Sequence, residues 1–118
     1  MPKKPSNQPR QPAQLSPGEM RTAIPKLKRR IEELNSFDPE SINDRSDPRP
    51  DSIAQKIDDT LVEILGADTL DYLRFRVASL DHGPMIIRGT VPLNQVRAGF
   101  QSGKADALSK LRTLVELL

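Results

Sequence analysis

At 118 residues, with a net charge of +2 and no cysteine, the chain is sized for one hydrophobic core, and disulfide staples, thiolate metal sites and cysteine nucleophiles are excluded together. Phe37, Tyr72, Phe75 and Phe100 are its only aromatic residues, so the core must be built from Leu, Ile, Val and Ala, a palette that suits packed helices and weakens an all-β reading. The first 50 residues hold ten Lys or Arg against seven acids and the rest eight against nine; no run approaches the ~18 apolar residues of a membrane span and no apolar segment follows the N-terminal charges, so a cytoplasmic protein that does not enter the membrane is expected.

Residues 1–15, with prolines at 2, 5, 9 and 12 among polar and basic residues, read as a disordered tail ahead of a helical domain over 16–118. Ser16, Pro17 and Glu19 form a capping box with proline at the first helical position. Met20, Ile24, Leu27, Ile31 and Leu34 then repeat at helical spacing to about Asn35, with Pro25 expected either to kink the helix or to restart it. The segment 36–50 is rich in Pro, Asp, Ser and Asn and reads as a loop.

Ser52 or Asp51 is the expected cap of a second helix, with Ile53, Ile57, Leu61, Ile64 and Leu65 on one face, Lys56, Asp59 and Glu63 outside it, and Gly66 ending it. Asp68 is the expected cap of a short third helix through Leu70, Leu73 and Val77. Residues 76–80 and 85–88 suit either a small hairpin or an irregular loop.

Thr90 or Val91 launches the last and longest helix. Leu93, Val96, Phe100, Ala107, Leu111, Leu114 and Leu118 recur at gaps of three and four, with Gly103 at the skipped position, and make one apolar stripe that Leu108 and Val115 widen. The stripe is expected to be core, buried against two or more helices. Gly99 and Gly103, one turn apart, allow another backbone to come close, although each costs about 1 kcal/mol of helix propensity. The fold class is therefore all-α: a small bundle of three or four helices packed on a long C-terminal helix.

No catalytic or metal-binding constellation stands out, and neither an enzyme nor a cofactor is expected. His82 has Asp81 and Ser79 beside it, but a triad needs convergence in space, and a His before Gly-Pro is a turn residue. The stretch around Gly99, Gly103 and Lys104 departs from a phosphate loop: its glycine spacing is short by one, Ala105 replaces the hydroxyl residue, and no strand precedes it. Asp58, Asp59 and Glu63 belong to a solvated helix face rather than a cation loop. Arg21, Lys26, Lys28, Arg29 and Arg30 are the strongest charged cluster and the candidate contact for nucleic acid or a partner. Glu32 and Glu33 interrupt that cluster, and no aromatic is interleaved for base stacking.

Leu61 to Phe75, LVEILGADTLDYLRF, and Gly99 to Leu118, GFQSGKADALSKLRTLVELL, resemble the helical N-terminal segment of certain bacterial anti-phage effectors, which precedes a TIR or TIR-like nucleotide-binding domain. The resemblance rests on the Leu65-Gly66 step, the Asp68-Thr69 start, Tyr72 to Phe75, and the aromatic-glycine entry from Phe100 to Gly103. It implies the non-catalytic half of such a system, either part of a longer protein or a separate small partner, since no effector domain for NAD cleavage or nucleotide binding lies among these residues. The expected function is thus a helical interaction or oligomerisation module whose partner is an adjoining effector domain, another protein or its own copy; the alternative is a small basic nucleic-acid-binding regulator.

Overall fold

The computed structural model describes residues 12–85 and 89–118. Among the described residues there are four helices, α1 (Pro17–Ser36), α2 (Pro48–Leu65), α3 (Leu70–Phe75) and α4 (Leu93–Leu117), and one 3-10 turn at Pro39–Ser41. The long α4 is the spine. It packs along α1 and touches both α3 and the 3-10 turn, while α2 lies between α1 and α3. No strand occurs among the described residues, so 76–85 is irregular; 86–88, part of the hairpin alternative, and 1–11, most of the expected tail, lie outside them. Among the described residues no helix is long and apolar enough to cross a membrane.

Helices α1, α2 and α3 each start where a side chain accepts an orphan backbone N–H. The Ser16 hydroxyl accepts from Glu19 N at 3.1 Å, and the Glu19 carboxylate accepts from Ser16 N at 3.3 Å. Of the two outcomes expected at Pro25 the restart does not occur: α1 runs as one 20-residue helix with the proline inside it. Ala23 and Leu27 are buried on either side of the proline, and Pro25 with Arg21 faces out, where the carbonyl that loses its donor can be hydrated. The chain docks before the cap: Ala13 N donates to the Asp71 carboxylate at 2.6 Å, and Ala13 and Leu15 pack against the core.

The segment 36–50 is more ordered than a plain loop. Phe37, Pro39, Ile42 and Pro50 are buried in it. Two α4 side chains hold it from the far side: Lys104 Nζ donates to Asn35 O (3.2 Å) and Phe37 O (2.7 Å), and Arg97 Nε donates to Ile42 O (2.8 Å). Lys104 thereby serves the free carbonyls at the end of α1, a favourable place for a cation. The cap of α2 is Asp47, not Ser52 or Asp51, accepting from Arg49 N at 2.9 Å. Pro48 then takes the first helical position, and Pro50 is tolerated in a turn whose N–H groups have no intrahelical acceptor.

Gly66, at φ 84°, ends α2 with its N–H on Val62 O at 2.9 Å. The third helix is capped by Thr69 rather than Asp68, its hydroxyl accepting from Tyr72 N at 3.1 Å. Its buried face also differs from the expected one. Phe75 is buried and Tyr72 half-buried, whereas Leu70 and Leu73 remain 46% and 49% exposed. The two aromatics remove more apolar area from water than the two leucines would, so they set the rotation of a helix too short to bury both faces.

Helix α4 begins at Leu93, where the apolar stripe begins, with Pro92 rather than Thr90 or Val91 at its N-cap and no side-chain cap bond. Val96, Phe100, Ala107, Leu108, Leu111 and Leu114 are buried, Val115 and Leu118 half-buried, and only Leu93 of the stripe stands out, at 38% exposure. Leu27, Leu34, Ile57, Leu61 and Leu80, all fully buried, complete the core against it; each contributes about 1.5–3 kcal/mol by leaving water. The close approach at the glycines is made by the irregular segment after α3: the backbone of Leu80 lies against Gly103 and that of Gly83 against Gly99, and His82 N donates to Gly99 O at 3.3 Å.

Candidate functional site: a basic groove between α1 and α2

On their polar side α1 and α2 leave a groove of about 450 Å³ between them, lined by Pro25, Lys26, Arg29 and Arg30 of α1 and by Lys56, Asp59, Thr60 and Glu63 of α2. Lys26 pairs with Glu63 across it. Arg30 pairs with Glu33 on its own helix at 3.0 Å, and its side chain is only 16% exposed. The Arg30 Nε is sealed from solvent and finds no acceptor. Asp59 accepts from Gln55 at 2.9 Å, and the Thr60 hydroxyl donates to Lys56 O at 2.9 Å. The Arg29 and Lys56 side chains enter no ion pair or hydrogen bond among the described residues, which leaves them as the uncommitted cations of the groove.

The basic cluster read from the sequence is divided by this geometry. Lys26, Arg29 and Arg30 line the groove; Arg21 and Lys28 do not, since at about 100° per residue they share a different side of α1, and both are exposed. Lys56 is the member that the sequence did not offer. Its spacing marks it only as an outward residue of α2, and nothing local predicts that α1 presents Arg29 and Arg30 beside it.

The other candidates separate. Asp81 Oδ2 accepts from Arg45 Nε at 2.7 Å and Oδ1 from Arg45 Nη2 at 3.1 Å, while Arg45 Nη1 donates to Pro84 O at 2.8 Å. Burial pushes the Asp81 carboxyl up, but hydrogen bonds from Arg45 and Gly83 outweigh it and hold the group below the ordinary carboxylate value. Ser79 accepts from Asp81 N at 3.0 Å and His82 is exposed, so these three residues build a turn and a clamp. Asp58 accepts from the Tyr72 hydroxyl, apart from Asp59 and Glu63 in the groove. Among the described residues no group of three His, Asp or Glu side chains could hold a metal ion.

Compared with family models, with curated proteins and with solved structures, the chain matches none of them. The groove offers charge and partly unmet hydrogen-bond donors. It can hold an anion; it has no nucleophile paired with a base. The second exposed feature is apolar: Leu70 and Leu73, three residues apart on one face of α3.

Proposed function

We propose that the chain is a non-catalytic helical interaction module, serving a bacterial anti-phage effector with a TIR-like domain and docking to it, or to its own copy, through α3. The observation that supports this reading is the rotation of α3. The Thr69 cap, the bond from Tyr72 to Asp58 and the buried Phe75 fix the helix, so Leu70 and Leu73 are presented on a rigid support rather than left loose. A fixed apolar pair at the surface loses little entropy on binding. The stripe of α4 is spent on the core and is not available for assembly. A nucleic-acid-binding regulator has less support, because Arg21 and Lys28 lie away from the groove cations and no aromatic side chain lines the groove to stack a base.

Two substitutions test the proposal. Leu73→Asp is expected to leave the helical circular dichroism unchanged and to abolish any mass gained, by light scattering, on self-association or on mixing with a TIR-like domain encoded beside this reading frame. Leu111→Asp, which places a charge in the core, is expected to unfold the monomer. A Leu73→Asp protein that assembles as well as the parent would sink the proposal.

A further inference from the structure

We propose that the groove between α1 and α2 binds a compact, multiply charged oxyanion, of the polyphosphate class. Cations converge on it from two helices: Lys26, Arg29 and Arg30 from α1 and Lys56 from α2, around about 450 Å³, within the ~300–1,000 Å³ of small-ligand sites. Arg29 and Lys56 are uncommitted, so an anion seated between them displaces no ion pair. Arg30 supplies a second, independent reason. Its side chain is mostly withdrawn from water, and Nε is sealed without an acceptor, a costly condition for a charged donor group. An oxyanion alongside would bring the guanidinium the negative charge and acceptor oxygens that Glu33 alone does not supply.

The lining also selects the class of ligand. It contains no aromatic side chain, and Pro25 is its only wholly apolar residue, so nothing there would stack a base; recognition rests on charge. The groove is not uniformly basic, since Asp59 and Glu63 share it. With four cations against two carboxylates in the lining, the net attraction grows with the charge carried by the ligand, which favours linked phosphates over a single monoanion.

Isothermal titration of inorganic tripolyphosphate into the full chain at low, matched ionic strength is expected to show saturable binding, tighter than that of sulfate. Reversal of the two free cations, Arg29→Glu with Lys56→Glu, should weaken it by about tenfold or more. Reversal outside the groove, Arg21→Glu with Lys28→Glu, should weaken it by less than about threefold, the effect of distant screened charge. Circular dichroism checks that both variants fold; should the first pair fail to, Arg29→Gln with Lys56→Gln replaces it. Equal losses in the two pairs, or no saturable binding, would overturn the site. So would a single-stranded RNA that binds more tightly than tripolyphosphate and depends equally on Arg21 and Lys28, because the surface would then be an extended backbone footprint.

Discussion

The backbone of Leu80 occupies the space that a Cβ on Gly103 would need, its carbonyl carbon lying 2.6 Å from where that atom would sit. One turn earlier Gly99 stands in the same relation to Gly83, whose Cα lies 2.6 Å from the corresponding position. The irregular segment after α3 therefore rests directly on the α4 backbone. Gly103→Ala should raise local helix propensity by about 1 kcal/mol and still destabilise the protein, by about 1–3 kcal/mol net, because main chain rather than a flexible side chain has to move. Gly18→Ala provides the contrast, since an added Cβ there meets only the Ser16 hydroxyl at 3.9 Å and should be neutral or slightly stabilising. Urea melts of the two variants measure both; a stabilised Gly103→Ala protein would show that the segment is free to lift away.

The same segment is clamped at its tip by Arg45 and Asp81, which gives acid stability a specific source. The folded Asp81 carboxyl lies below its reference value of 3.8, so its contribution is fully present above that value and is lost as pH falls through the lower folded one. Asp81→Asn should cost about 1–3 kcal/mol near neutrality and shrink the stability lost between about pH 5 and about pH 2. Some acid sensitivity should persist, because bonds from Ser46 lower Asp44 and bonds from Arg49 lower Asp47. Chemical denaturation across that range checks the sign, and an acid limb identical to the parent's would place the pair among solvated surface bridges of little worth.

Residues ahead of the first cap also contribute. Leu15 packs against the core and Ala13 is bonded to Asp71 on α3, so removal of 12–15 exposes apolar surface and frees a carboxylate. A chain beginning at Ser16 is expected to melt roughly 3–6 °C below one beginning at Pro12, the equivalent of about 1 kcal/mol. Both should be N-acetylated, so that a terminal charge does not oppose the α1 dipole. Equal midpoints would mean that this docking adds nothing.

The features legible along the chain are those that short-range rules control. The capping box at Ser16 and Glu19, the end of α2 at Gly66, the periodic core face of α4 and the room for a close backbone neighbour at Gly99 and Gly103 all follow from hydrogen bonds or spacings within one segment. Tertiary structure decided the rest, because there distant segments compete. Two apolar faces were available on α3, and packing against α2 and α4 chose Tyr72 and Phe75, leaving Leu70 and Leu73 outside. Phe37 and Ile42 turned an apparent loop into part of the core once Lys104 and Arg97 could reach its carbonyls across the fold. Lys56 joined Arg29 and Arg30 only through the packing of α2 on α1. No periodicity records such a meeting, since it depends on how two separately legible helices are rotated and set against each other.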